Sequence, residues 1–397
     1  MMLVALTLVF GLHAEDSAPI TWREKRLHLA ELPGELPESA RAALEAWHPW
    51  STDNAYKLDL DRTGRVLVIT RDSNDRIGQQ MEFADKVLEH FERELPPPAV
   101  RLEVPVPGVP KKEPEKPAPA GEPLPEDPEA DDHPWKLAPT KPAERTSAAP
   151  VVTTWGAQGA PLDSQTVVLF VVRDQDDFVS LLKHLAAKYP YLASWVAEAK
   201  ANQGFVLGEP CVAAYLELPD GVEEWDPDNE LVHRIARLLV LNRYGDLPNW
   251  FMLGYAWSLE IALKKGVYCF PWRDEFVWAT EHGGWPAAVR SRYAKERLKP
   301  SDFMGFQRGK YIDEMAKASW AMTVYLVAKE QEKLPGLLEE LRVFRAEHAR
   351  IQEGPNRWRR DTKYEMPVAE QAKLFTKHLG EGYLQRASVF VRGELPN

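Results

Sequence analysis

The chain has 397 residues, with 49 basic and 60 acidic side chains and a net charge of −11. This acidic balance argues against a nucleic-acid-binding protein, which normally presents a basic face. Hydrophobic residues make up 44% of the sequence, which is enough for a sizeable core and excludes a chain that is disordered throughout. The two cysteines, Cys211 and Cys269, exclude a disulfide scaffold and a cysteine-rich zinc module, and leave open one bridge or two buried thiols.

The N-terminal segment contains the one long apolar run, residues 3–12, which is followed by Ala14 and two acidic residues. Ten residues are too few to cross a bilayer as a helix. They suit the apolar part of a secretory signal peptide that is cleaved near Ala14. Because no lysine or arginine precedes the run, a buried N-terminal strand is the alternative. We expect residues 1–14 to be a signal peptide of an exported protein, periplasmic or on the cell surface, with no integral membrane segment.

Residues 20–95 have the pattern of a folded unit. Apolar residues alternate over 56–60 and 66–68 on either side of a turn at 61–64, which predicts a β-hairpin. Apolar residues then recur at helical spacing from 75 to 94, which predicts a helix that Pro96 ends.

A proline-rich stretch follows. Residues 96–150 contain 16 of the 33 prolines, among Glu, Lys, Asp and Ala. Such a composition cannot bury enough apolar area to offset the entropy of ordering it, and proline keeps the backbone extended. We therefore predict a disordered linker or insertion over 96–155, with a ligand for a proline-binding module as the rarer alternative.

The rest of the chain, residues 160–397, begins with strands and continues with helices. The run 167–172 predicts a buried strand, Asp174 caps a helix over 175–188, and a further helix (191–201) and strand (211–218) follow. Later helices are predicted over 228–242, 248–265, 272–297, 310–330, 333–352 and 367–380. This order indicates an α+β fold, with a small mixed or antiparallel sheet followed by a helical subdomain.

Two segments stand out as candidates for chemistry, Asn229-Glu230-Leu231-Val232-His233 and the run from Leu247 to Ala256. Here the chain resembles the peptidase MA-like (gluzincin, thermolysin-like) zinc metallopeptidases, in particular exported bacterial members of unassigned function. Their signature is H-E-x-x-H on one helix and Pro-x-Trp-Leu-x-Glu-Gly-x-Ala on the next. In that family two imidazoles one helical turn apart and a carboxylate from the second helix bind zinc, and the glutamate after the first histidine is the general base.

The resemblance implies a degenerate metal site. Glu230 stands at the position of the general base and His233 at that of the second histidine, but Asn229 occupies the position of the first. The third ligand of thermolysin-like members lies 20 residues after the second histidine, which is Leu253 here. The residues around it that match are Trp250, Gly254 and Ala256. An amide is a poor zinc ligand and leucine is none, so one imidazole would remain where three ligands are needed.

The resemblance covers about 160–350, and more loosely 56–95 as the first strand and helix of the same domain. The proline-rich stretch would then be an insertion within that domain. The strand at 211–218 resembles the one that pairs with a substrate peptide. Ala318-Ser319-Trp320-Ala321 matches a family helix, but the expected tyrosine falls near Ala316, and the nearest one, Tyr311, is given no catalytic role.

Each of these residues also has a purely structural interpretation. His233 could be an ordinary helix histidine, and Glu230 could pair with Arg234 or Arg237 at helical spacing. The leading hypothesis is a catalytically inactive, metallopeptidase-like exported protein with no cofactor, in which Glu230 is idle and the remaining role is structural or is binding of an unknown peptide or protein.

The alternative hypothesis is an active zinc peptidase with substitute ligands from Asp228 or Glu260. Asp228 projects about 100° around the helix from Asn229, which makes it a bad substitute. Glu260 lies two turns beyond Leu253, about 10 Å along the axis, which is expected to be too far for a zinc bond. A hydrolase that uses Glu230 alone lacks a nucleophile motif such as G-x-S-x-G.

Overall fold

The computed structural model describes residues 18–104, 162–218, 225–270, 283–307, 309–354, 357–361 and 363–396. The predicted signal peptide, residues 105–155 of the predicted linker and the first part of the helix predicted over 272–297 lie outside these ranges. Among the described residues, no helix combines the length and apolarity needed to cross a membrane.

A seven-stranded mixed sheet lies at the centre of the molecule, in the order β2-β1-β3-β4-β5-β7-β6. Its strands are β1 Ile20–Trp22, β2 Lys25–Leu27, β3 Lys57–Leu60, β4 Val66–Thr70, β5 Val167–Val172, β6 Gly204–Leu207 and β7 Val212–Leu216. The pairs β1–β3, β4–β5 and β5–β7 are parallel, and the other three pairs are antiparallel. Because β4 and β5 are neighbours, the segments before and after the proline-rich stretch share one sheet.

Helices cover both faces of the sheet. The helices are α1 Glu38–Asp53, α2 Asn74–Glu94, α3 Gln175–Lys188, α4 Ala193–Ala199, α5 Pro227–Tyr244, α6 Asn249–Lys264, α7 Trp285–Tyr293, α8 Asp313–Lys329, α9 Leu334–His348, α10 Val368–Leu379 and α11 Tyr383–Gly393. A separate hairpin joins β8 Arg350–Gly354 and β9 Arg357–Arg360. Because both faces are covered, β4, β5 and β7 are buried along their whole length, as their continuous apolar runs predict.

Side chains of successive strand residues enter two different cores. On β4, Val66 and Val68 pack into the core that contains α2, α5 and α6, whereas Leu67 and Ile69 pack into the core that contains α1 and α3. The first core continues into the C-terminal helices. The helix α5 therefore lies between the sheet and α6, and most of its side chains are buried.

The predicted fold class is confirmed, since the chain is a mixed α and β structure whose sheet precedes the long helical part. The hairpin β3–β4 and the helices near 75–94 and 175–188 are present, and the Asp174 side chain caps α3 by accepting from the Asp177 backbone N–H at 3.0 Å. The helix α1 was not predicted. It contains Pro49, which is unfavourable within a helix, but Trp47 and Trp50 pack edge-on against Phe170 and hold it in place.

Two further predictions need correction. The helix expected over 333–352 ends at His348, and the chain then turns back into the β8–β9 hairpin. The strand expected to pair with a substrate peptide is β7, but both of its edges are occupied, by β5 and by β6. The edge of the sheet on this side is β6, so β7 cannot accept a further strand.

Candidate functional site

The start of α5 and the end of α6 form the candidate site. The Asp226 side chain caps α5 by accepting from the backbone N–H groups of Asp228 and Asn229, at 2.9 and 3.0 Å. The position of α6 is set by close packing on α8 at Gly254, where a Cβ would lie 2.5 Å from Thr323 Oγ1 and 2.7 Å from Ser319 O. The glycine of the family-like segment therefore has a packing role in this chain.

Asn229 and His233, one turn apart on α5, both reach the carboxylate of Glu260 on α6. The Asn229 amide Nδ2 donates to Glu260 Oε2 at 2.7 Å and to the carbonyl of Gly266 at 2.8 Å. His233 Nδ1 lies 2.7 Å from Glu260 Oε1. All three side chains are buried. The structure thus unites two of the expected remnant ligand positions, Asn229 and His233, with a carboxylate that sequence reasoning dismissed.

Two backbone N–H groups also donate hydrogen bonds to the Glu260 carboxylate. The N–H groups of Tyr268 and Cys269 donate to Oε2, at 2.9 and 3.3 Å, so Oε2 accepts three N–H groups in total. Burial raises the pKa of Glu260 well above its usual range, more than the Asn229 and backbone hydrogen bonds lower it. Burial, with the nearby Arg237 and Arg234, lowers the pKa of His233. Both shifts favour the uncharged form of each group.

Glu230 lies beside this cluster, where it hydrogen-bonds with the Cys269 thiol and forms an ion pair. It pairs with Arg234, one turn later on α5, and Arg234 also donates from Nη1 to the carbonyl of Phe205 on β6 at 3.3 Å. Gly204 makes this possible, because a Cβ there would lie 2.5 Å from Arg234 Nη2. The structural alternative, in which Glu230 pairs with Arg234 at helical spacing, therefore matches this ion pair.

The expectation that Glu260 is too far away to share a site with His233 is wrong. Glu260 contacts His233, and Leu253, seven residues earlier on α6, is a core residue about 10 Å away along the helix axis. The helices α5 and α6 run antiparallel, joined by a short loop. The end of α6 therefore lies beside the start of α5, and its middle lies deeper in the core.

The other residues considered from the sequence lie in ordinary structural contacts. Asp228 Oδ1 pairs with Arg76 Nη2 at 2.6 Å, and Asp228 Oδ2 lies 3.0 Å from Lys264 Nζ. Burial alone would raise the pKa of Asp228, but the two cations outweigh it and the pKa is lowered. The ring of Tyr311 stacks on that of Phe306, with 4.2 Å between the centroids.

Cys269 is the residue of the site that sequence reasoning missed. It is a buried free thiol, as is Cys211, and burial together with Glu230 raises its pKa. One ligand atom each from His233, Glu260 and Cys269 lies within 4.8 Å of the other two. No motif could have revealed this, since Cys269 follows α6 at no metal-ligand spacing and is brought in by the backbone hydrogen bond to Glu260.

The arrangement does not fit a catalytic zinc ion. The 2.7 Å between His233 Nδ1 and Glu260 Oε1 is a hydrogen-bond distance, so these two atoms do not bind one tetrahedral zinc ion together, because its ligand atoms lie more than about 3 Å apart. His233 Nε2 is buried and has no hydrogen-bond partner, and it is the nitrogen that remains for an ion. Asn229 turns its N–H₂ group, not its oxygen, towards the centre. A catalytic ion also needs an open coordination position, and the side chains of the centre are at most 2% exposed.

Comparison with protein-family models and with curated proteins finds no match for this chain.

Proposed function

We propose that the protein is a catalytically inactive, metallopeptidase-like protein whose former metal centre is now a buried hydrogen-bond cluster. The observation that carries this proposal is the saturation of Glu260. Asn229, His233 and two backbone N–H groups occupy the carboxylate that would otherwise bind a metal ion. The pairing of Glu230 with Arg234 supports it, because a general base needs a free carboxylate beside a bound water molecule.

Metal analysis of the purified full-length chain tests this proposal most directly. We expect less than stoichiometric zinc after purification without chelators, and no hydrolysis of a mixed peptide library with or without added zinc. Copurification of one equivalent of zinc, together with hydrolysis that a chelator abolishes and zinc restores, would overturn the proposal.

The second candidate is an active peptidase that uses substitute ligands, and the proximity of His233, Glu260 and Cys269 favours it. Zinc would bind His233 through Nε2, which is buried without a hydrogen-bond partner, and would require the Cys269 thiol to lose its proton, which burial opposes. Cys269→Ser separates the two candidates. A loss of bound zinc in this variant supports the substitute site, whereas a cluster without metal gives the same metal content in both proteins.

The remaining role that we propose is the binding of a peptide or protein, or a structural one, outside the cell. Since β7 is internal, an added peptide strand would have to pair with the edge strand β6.

The proposal that the protein is exported is based on the apolar run at residues 3–12. Expression in a bacterium with fractionation, and mass measurement of the mature N-terminus, tests it. A cytoplasmic product that keeps Met1 or Met2 contradicts export.

A further inference from the structure

A cavity of about 670 Å³ lies at the end of the sheet that is far from β6. It is enclosed between the strands β1 and β3 and the helix α2. It does not involve the Asn229–Glu260 cluster or any residue assigned a role above. Its lining includes Thr21 and Asp59 on the strands and Ile77, Gly78 and Met81 on α2.

Strand register explains why a cavity forms here. Arg26, Thr21, Asp59 and Val68 are successive partners across β2, β1, β3 and β4, so their side chains project from the same face of the sheet. Val68 lies in the core beneath α2, with Ala84 and Val87. The helix α2 covers this face of the sheet at β4 but does not pack closely on β3 and β1. The same face therefore borders the cavity at β3 and β1.

Asp59 is the unusual residue in this row. Its side chain is only 6% exposed, and the Thr21 hydroxyl bonds to the carboxylate. The oxygen Oδ2 is buried and has no hydrogen-bond partner. Asp61, which also lines the cavity, differs, because its two oxygens accept from the backbone N–H groups of Val66 and Thr63, both at 2.7 Å. A buried carboxylate oxygen without a donor is costly unless a ligand supplies one.

The charges around the cavity favour a cationic occupant. Its lining carries four basic and five acidic side chains, an excess of one negative charge. Lys57 Nζ is already committed to the Asp72 carbonyl at 2.7 Å and to Asn74 Oδ1 at 3.1 Å. Arg23 donates to the carbonyl of Arg62 at 3.2 Å. Lys57 and Arg23 are therefore held by other acceptors, and Arg62 Nε lies 4.0 Å from Asp85 Oδ2. None of the lining cations, Arg26 included, donates to Asp59 Oδ2, which is left for a donor that enters from outside.

One stretch of the cavity side formed by α2 is apolar and suits the hydrocarbon part of a ligand that carries such a donor. Ile77 and Met81 lie one turn apart on α2, and between them Gly78 has no side chain. A Cβ built at Gly78 would meet no atom within 4 Å, so open space lies over this part of the helix. A small hydrocarbon or aromatic group has room there.

We propose that this cavity binds a small primary amine, whose ammonium group donates to Asp59 Oδ2 and whose apolar part lies along Ile77 and Met81 above Gly78. The site is independent of the proposed function, because none of its residues belongs to α5 or α6. An ammonium group supplies both the missing donor and the one compensating positive charge.

The test compares two probes of the same shape, 2-phenylethylamine and the neutral 2-phenylethanol, by titration calorimetry and ligand-observed NMR on the full chain at pH 7.5. We expect the amine to bind the wild type at least about tenfold more tightly than the alcohol, since a hydrogen bond to a charged group is worth about that factor. In Asp59→Asn the preference should disappear. Asp75→Asn is the matched control, because Asp75 is an exposed carboxylate on the first turn of α2 and does not line the cavity.

A second variant tests the position of the apolar part. Gly78→Leu should weaken the binding of both probes by placing a side chain in the open space, and thermal unfolding should show that it and Asp59→Asn remain folded. The proposal is overturned if the two probes bind the wild type equally, if Asp59→Asn keeps the preference for the amine, or if neither probe shows saturable binding to the folded wild type.

Discussion

On the proposed function, replacing Asn229 by histidine would bring two imidazoles and one carboxylate together, which is a gluzincin-type set of ligands. Both Asn229 and His233 already reach Glu260, at 2.7 Å each, so the missing component is one imidazole on α5 and not a carboxylate at Leu253. Structural zinc sites with four ligands are worth about 10–16 kcal/mol, or roughly 3 kcal/mol for each ligand. We therefore expect Asn229→His to gain about 100-fold in zinc affinity over the wild type.

Without metal, the same variant should be less stable than the wild type. It loses the two hydrogen bonds that the Asn229 amide donates to Glu260 and to Gly266, and it places a larger ring at a fully buried position. Together these changes should lower the free energy of unfolding by about 2–4 kcal/mol. Zinc at about 100 times its dissociation constant should return about 2.7 kcal/mol of this loss.

Zinc titration calorimetry and urea unfolding with and without zinc measure both effects. Asn229→Ala is the control, since it removes the same hydrogen bonds without adding a ligand and should gain no zinc affinity. Leu253→Glu in the Asn229→His background should bury a carboxylate away from the centre, which lowers stability and leaves zinc affinity unchanged. The reasoning is refuted if Asn229→His binds zinc no better than Asn229→Ala, or if Leu253→Glu raises the affinity a further 100-fold.

Three further predictions concern other parts of the molecule. Burial raises the pKa of Asp59 from 3.8 to about 6, so the folded state binds this proton more tightly and stability falls as pH rises between those values. Asp59→Asn should remove up to about 3 kcal/mol of that fall, with wild type and variant compared by urea unfolding at pH 4 and pH 7.5. Gly204→Ala should destabilise by about 1–3 kcal/mol in thermal unfolding because its Cβ would lie 2.6 Å from the Ala214 carbonyl, whereas Gly208→Ala, with 3.5 Å to its nearest neighbour, should be nearly neutral; equal effects would contradict this. Glu339→Ala should speed proteolytic cleavage near residues 100–104, because Glu339 accepts from the Leu102 N–H at 2.8 Å and pairs with Arg101; an unchanged cleavage rate there would show that these contacts do not hold the segment.

The elements of this fold that were predictable are those in which local sequence decides the structure. The run 167–172 is apolar throughout and becomes β5, buried on both faces, and Asp174 caps the helix that follows. The alternation around 61–64 becomes the β3–β4 hairpin. In the candidate site, the four-residue spacing of Asn229 and His233 places them on one face of α5 through helix geometry alone.

What the sequence by itself determined is therefore which residues share an element and which of them share its face. Only the tertiary structure decided that Glu260 meets His233, that Cys269 joins them, and that β7 is an internal strand. The register of α6 against α5 depends on how α6 packs against α8 at Gly254. Contacts of this kind come from side chains far apart in the chain, whose packing is not encoded in the spacing within either helix.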